Sequence, residues 1–487
     1  MKILIKLFAV SAILGVVFTS TGCKIPEEGY VPGPPTFFGT TFISLEDAGY
    51  EQKEYFIKGS ATSYTSEEPL PTDGKWTVTA DETADFKTRM VVYTPADPAH
   101  FNGTVILEWL NVSGGTDASS VWIMAHTELI RKGYAWVGIT AQRAGIEGGG
   151  INLLGFGLPL KNINPFRYST LKHPGDKFAY DIFHQAAKAV IEPENFKPLG
   201  DLNVKRAIAA GESQSADFLL TYMNAVTPRE NLFDAYFIHS RVHGSQPLSP
   251  IPASGDRAEG FDHRDTMFLR DDLNIPTIIL QTESDLTVLG AYPDRQEDSD
   301  FIRTWEVAGT AHADRYVGNV GLIDRGTSIN AAAVVETKFA IPLLVECEEP
   351  INSGPQHFVV KAAIAALDNW VQTDIPPTPA ERLLYDEATE SYVRDSLGNV
   401  IGGVRTPYVD APIAQLTGES DTDDLFCAIY GKTKLFDDAT LAQLYADHET
   451  YVQAVDDSLQ AAIANGFILE ADGELIKAWA EQSDIGR

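Results

Sequence analysis

Five residues near the middle of the chain limit what the rest can be. Gly211-Glu212-Ser213-Gln214-Ser215 follows an apolar run, AIAA over 207–210, and opens a segment of helical spacing, SADFLLTYMNAV over 215–226. A buried strand that turns sharply into a helix pushes the apex side chain above the sheet. It also aims unpaired backbone N–H groups at one point. Such a turn is crowded and demands small residues two positions either side of its apex. Gly211 meets that demand, and Ser215 is a small departure from the glycine more usual on the far side. A serine at the apex predicts a nucleophile. Its hydroxyl attacks a carbonyl efficiently only where a base takes the proton and the developing oxyanion is held.

The pattern around the turn predicts a layered α/β architecture. GTVILEWLNV (103–112) is a near-continuous apolar run of strand length, as expected of a strand buried on both faces. Further strands are predicted at 89–93, 134–140, 204–210, 233–238, 276–281 and 301–308. Helices are predicted at 121–132, 176–190, 215–226 and 359–371. Strand and helix in alternation imply a mostly parallel sheet with helices on both faces. A β-hairpin is expected over 383–404, and 405–487 reads as helical segments packed over the core. The domain reading is an export segment over 1–22, a Pro/Gly-rich tether over 23–41, a core over 42–380 and a C-terminal extension over 381–487.

A nucleophile at Ser213 needs an acid and then a histidine on loops after later strands. Six histidines follow it: His239, His243, His263, His312, His357 and His448. His312 lies in GTAHAD, just past the strand ending in TWEVA, where the base belongs. The acid belongs in Thr282-Glu283-Ser284-Asp285, after PTIILQ. Asp285 sits where the acid-bearing turn reaches, and Glu283 is the alternative with the longer side chain. One oxyanion donor is expected at the Gln214 amide, heading the helix. The second is expected at Val112 or Ser113, in a loop whose Gly114-Gly115 allows close backbone approach. His243, after the strand at 233–238, is a candidate substrate contact. Its four-residue spacing from His239 fits a metal pair only weakly, with no third ligand in view. No metal or cofactor is called for. Trp109, Trp122 and Trp305 fall inside elements and read as core.

The segments LEWLNVSGG, HTELIRKGYAWVGITAQR, GESQSA, WEVAGTAHAD and GPQHFVVKAAIAALDNWV resemble the bacterial α/β hydrolase domain family, a branch of the α/β-hydrolase superfamily. The resemblance runs over roughly residues 40–435, far beyond the elbow motif. It implies the α/β-hydrolase fold with an eight-stranded sheet, and Ser213, an acid and His312 as the catalytic set. It implies no substrate, and it leaves Glu283 and Asp285 both in place.

Charge and termini complete the expectation. With 37 basic and 68 acidic residues the net charge is −31, which disfavours nucleic acid and anionic lipid as partners. Lys2 and Lys6, an apolar run over 7–18 and Thr21-Gly22-Cys23 look like an export signal ending in a lipobox, with Ser20 where Leu is usual. Lipidation at Cys23 places the chain in the bacterial cell envelope. Lys24 after the cysteine favours the outer membrane by the lipoprotein sorting rule, and the membrane is touched only through that anchor. Ordinary signal cleavage is the alternative. Cys347 and Cys427 are read either as a disulfide or as two buried thiols. The expected activity is hydrolysis of a small carboxylic ester. Acyl transfer or amide/lactone hydrolysis by the same set is the runner-up, and a non-catalytic binding module on the same scaffold is the rival from another class.

Overall fold

A computed structural model of the chain describes residues 28–37, 39–149, 157–194, 196–249, 265–342 and 344–487. The export segment, Cys23 and His263 lie outside the described residues. Among the described residues, no helix is long and apolar enough to cross a membrane.

Among the described residues, nine strands form one sheet. In chain order they are β1 (Gly29–Tyr30), β2 (Tyr50–Thr65), β3 (Thr79–Pro95), β4 (Thr104–Trp109), β5 (Ala135–Ile139), β6 (Arg206–Glu212), β7 (Ala235–His239), β8 (Thr277–Gln281) and β9 (Ile302–Glu306). Their spatial order is β1-β2-β3-β5-β4-β6-β7-β8-β9. From β5 to β9 every pairing is parallel; β1, β2 and β3 join antiparallel. The strand beyond the expected eight is the two-residue β1 at the edge. β2 is 16 residues long and includes Tyr55, Phe56 and Ile57.

Four helices flank the sheet: α1 (Ser120–Arg131), α2 (Ala179–Ile191), α3 (Gln214–Ala225) and α5 (Gln356–Thr373), with the one-turn α4 (Glu283–Leu286) between the last two. The central strands feed both faces by simple alternation. In β4, Val105, Leu107 and Trp109 enter the core shared with Ile182, Phe183 and Phe218 of α2 and α3. Ile106 enters the opposite core, with Val121, Trp122 and Phe358 of α1 and α5. This two-sided burial is why GTVILEWLNV lacks a polar face. Trp109 stacks between Phe183 and Phe218, ring centroids 4.7 and 5.2 Å away. The alanines of β6 (Ala207, Ala209, Ala210) are fully or almost fully buried, and their small side chains let helices approach the strand that carries the elbow.

One polar residue breaks the apolar run of β4 for a reason. Glu108 accepts the N–H groups of Val121 (2.9 Å) and Trp122 (3.0 Å) at the start of α1, and the Trp136 indole N–H (2.8 Å). Burial pushes its carboxyl up to about 8 against those hydrogen bonds. A carboxyl satisfied by a helix N-terminus fixes where α1 begins.

The C-terminal part is more mixed than its sequence pattern. Among the described residues six two- to four-residue strands make three antiparallel pairs: β10 (Phe339–Ile341) with β11 (Val345–Glu346), β12 (Tyr385–Asp386) with β13 (Ser391–Tyr392), and β14 (Ala414–Thr417) with β15 (Lys432–Leu435). The pair within 383–404 was expected; the first and the last had no signal, because strands this short carry no readable alternation. Helices α6 (Leu425–Ala428), α7 (Asp438–Leu444), α8 (His448–Ala464) and α9 (Glu470–Gln482) complete the chain. Cys347 and Cys427 are paired, with Cα atoms 5.7 Å apart, and join the β10–β11 hairpin to α6.

That bond closes a loop across a sequence separation of 80. Loop-closure entropy assigns it roughly 4 kcal/mol. Replacing both cysteines by serine should lower the urea midpoint by a corresponding amount. An unchanged midpoint under matched oxidising conditions would show that the crosslink does not constrain the unfolded chain.

Candidate active site

The elbow forms as a strand–turn–helix. β6 ends at Glu212, α3 begins at Gln214, and Ser213 between them has φ 56° and ψ −126°. A non-glycine residue in that region is strained by about 1–3 kcal/mol, and surrounding structure must hold it. The Ser213 N–H donates to His239 O at 3.0 Å. A Cβ on Gly211 would sit 2.7 Å from the Ser215 carbonyl oxygen, so only glycine fits. The departure at Ser215 has a physical reason. Its Oγ donates to Glu212 O (2.7 Å) and accepts from Glu212 N–H (2.9 Å), lacing the turn shut.

Facing the elbow is the loop after β4. Asn111 fastens it: Nδ2 donates to Glu212 O at 3.0 Å and to Glu212 Oε2 at 3.1 Å. Asn111 Oδ1 takes the Ser113 N–H at 2.7 Å, and the Ser113 hydroxyl is 3.4 Å from Gln214 Oε1. Of the two donors expected here, Ser113 is thus engaged within its own loop. The Val112 N–H remains, with the Gln214 N–H at the first position of α3.

The two acids of the turn after β8 have different partners. Asp285 Oδ1 lies 2.6 Å from His312 Nδ1, and its Oδ2 accepts the Thr282 N–H at 2.6 Å in a capping box. Glu283 does not meet the histidine. Its Oε1 accepts the Gly309 N–H (2.7 Å) and its Oε2 the Gly418 N–H (2.9 Å). Burial pushes the Glu283 carboxyl up to about 7, against the pull of Arg394. As a candidate for the acid it is therefore corrected: its oxygens are taken by backbone that carries the histidine loop and by the β14–β15 connection. Ser284 completes the grip, its Oγ accepting the His312 N–H at 2.7 Å.

His312 is buried. Burial alone would push its imidazole down. The hydrogen bond and charge of Asp285, with the charges of Glu212 and Asp217, outweigh that and hold it above the ordinary value. Its Nε2 points to the elbow side, 3.4 Å from Glu212 Oε1. Around it, Gln356 Nε2 lies 3.2 Å from His239 Nε2 and donates to His312 O at 3.5 Å. Asn352 Nδ2 donates to Gly309 O and Thr417 O, both at 3.1 Å.

His243 has other company. Its Nδ1 lies 3.0 Å from Asp294 Oδ2 and its N–H donates to Leu289 O. His239 is buried and pushed down to about 3 by that burial. The two histidines thus take separate partners. Among the described residues no group of three or more His, Cys, Asp or Glu is placed to hold a metal ion.

Several residues of this arrangement escaped the sequence reading: Asn111, Gln356, Asn352, Gly418 and Tyr392, whose hydroxyl donates to Glu283 O at 2.6 Å. Only Asn111, adjacent to the glycine loop, had a local signal. The others come from elements more than 40 positions away from the partners they hold.

Glu283→Ala should destabilise the fold by about 2–4 kcal/mol, because two buried N–H groups lose their acceptor. Urea denaturation measures this. Wild-type stability in that variant would mean that Gly309 and Gly418 find other partners at no cost.

Residues 26–478 match the family model described as alpha/beta hydrolase domain. No curated protein matches the chain. Solved structures that overlay on part of it include an arylesterase at 9% identity, covering 51% of this chain and 76% of that one with a TM-score of 0.27. A thermostable esterase from Pseudomonas putida overlays at 12% identity, with coverage of 52% and 71% and a TM-score of 0.28. A carboxylesterase from Lactobacillus plantarum overlays at 9% identity, with coverage of 48% and 77% and a TM-score of 0.26. At scores this low the overlays carry no weight for activity or substrate.

Proposed function

The chain belongs to the alpha/beta hydrolase domain family, and from that membership and the site geometry we propose that it is a serine hydrolase of small carboxylic esters. The observation that carries this reading is the 2.6 Å contact between Asp285 and His312 Nδ1, with the other ring nitrogen turned toward the Ser213 elbow. Ser213 Oγ attacks the ester carbonyl carbon while His312 Nε2 takes its proton. Asp285 holds the ring in one tautomer and offsets the imidazolium charge. The N–H groups of Gln214 and Val112 hold the oxyanion, helped by the positive end of α3. The tetrahedral species collapses, His312 gives its proton to the departing alcohol, and an acyl-Ser213 ester remains. Water, deprotonated by His312, then releases the carboxylic acid. No cofactor enters these steps.

The cell location is proposed from the N-terminal sequence alone: export, lipidation at Cys23 and anchoring at the bacterial outer membrane. Metabolic labelling with a radioactive fatty acid should mark the wild-type chain and not Cys23→Ser. Equal labelling of both would remove the anchor from the proposal.

Ser213→Ala should lower hydrolysis of a short nitrophenyl ester at least a thousandfold, with the fold intact by circular dichroism. Asp285→Asn should cost a similar factor through the wrong tautomer, and Glu283→Gln far less in kcat. A fluorophosphonate should attach to Ser213 in the folded protein. Near-normal turnover by Ser213→Ala, or no Ser213 adduct, would favour the non-catalytic binding module.

A further inference from the structure

Glu212 occupies an odd position for a carboxylate. It precedes the nucleophile in the elbow and is 8% exposed. Burial pushes it up to about 7, opposed by the charge of His312 and a hydrogen bond from Ser120. A buried acid costs free energy and persists where something uses it. Holding the loop after β4 is not reason enough, because Asn111 already reaches the Glu212 carbonyl oxygen at 3.0 Å. Beside Asn111 and Ser120, the carboxylate also meets the catalytic candidate itself: Glu212 Oε1 is 3.4 Å from His312 Nε2.

We propose that Glu212 is a positioning residue, a second carboxylate that holds the Nε2 side of His312 while the ring is protonated, as Asp285 holds the Nδ1 side. The proposal rests on the reading of His312 as the base. The imidazole then lies between two acids. When Ser213 gives up its proton, the positive charge on the ring meets Asp285 on one nitrogen and Glu212 on the other. The transition state gains from both, whereas the neutral resting ring gains little.

Asp285 of α4, Glu212 of the elbow and Asp217 of α3 act on His312. His239 at the end of β7 feels Asp285 and His312 and is held neutral by burial. Around Glu212 stand Ser120 of α1, Asn111 of the loop and Asp285. Tyr430, between α6 and β15, and Glu108 of β4 also feel its charge. The acid nearest to His312 Nε2 is Glu212, so its removal changes the field there most. Groups this close titrate as a pair.

The sign follows from the charge. An ionised Glu212 favours imidazolium and so raises the pH below which the base is lost. Removing the charge should move the low-pH limb of kcat/KM for a neutral ester to lower pH. The test is Glu212→Gln, of nearly equal shape. We expect the limb to move down by about one pH unit. The plateau kcat should fall by about tenfold, with KM nearly unchanged. Glu212→Asp, which keeps the charge on a shorter stem, should return the limb toward its original position. A purely structural role would lower stability or raise KM and leave the limb in place, and an unmoved limb overturns the inference.

Should Glu212→Gln not fold, ring-nitrogen NMR of His312 in the unaltered protein gives the same answer. Two titration steps are expected, one from each member of the pair, and a single step overturns it. His312→Ala separates this from the reading beneath it. Retained turnover there sinks both. Lost turnover there, with an unmoved limb in Glu212→Gln, sinks only the role of Glu212.

Discussion

Three consecutive side chains on one helical turn hold the histidine loop. Glu283 takes the Gly309 N–H, Ser284 takes the His312 N–H, and Asp285 meets the His312 ring. A loop on its own loses this geometry to conformational entropy, since each residue fixed in one backbone well costs about 1–2 kcal/mol. Here the α4 turn supplies an acceptor at each end of the loop and one on its working side chain. The ring orientation is then set by a rigid element at the end of β8 rather than by the loop. Parallel neighbours β8 and β9 bring the turn and the loop to the same edge of the sheet.

The same economy of contacts governs the elbow. Ser213 is held in an unfavourable backbone conformation by its N–H to His239, by the glycine gap at Gly211 and by the Ser215 hydroxyl. Replacing the usual glycine by serine at 215 is therefore compatible with a tight turn, because the added hydroxyl bonds back into it. The elbow then presents Glu212 and Ser213 together. One faces the imidazole through a carboxylate, and the other supplies the hydroxyl assigned to attack.

The C-terminal third is part of this construction. Gly418, after β14, donates to Glu283, and a Cβ there would lie 2.4 Å from the Ser284 N. Tyr392 in β13 caps the Glu283 carbonyl, and Asn352 ties Gly309 to Thr417. The Cys347–Cys427 bond fastens the segment between them. The acidic turn is thus clamped between the sheet and hairpins that lie more than 100 residues further along the chain.

Local patterns in the sequence determined the layered α/β fold, the elbow at 211–215 and the positions of His312 and the acidic turn. Those features rest on side-chain periodicity and on the steric demand of one turn, both of which act within a few residues. Helix ends and central strands came within a few positions for the same reason. Tertiary structure decided what depends on distant partners. Glu283 and Asp285 are chemically alike and two residues apart, and only the arrival of Gly309 and Gly418 separates their tasks. Whether the two cysteines pair depends on a Cα separation that no spacing encodes. The hairpins of the last third are too short to show a period, and their stability comes from what they pack against. The nearness of Glu212 to His312 Nε2 likewise arises only when β6 and the loop after β9 meet at one edge of the sheet.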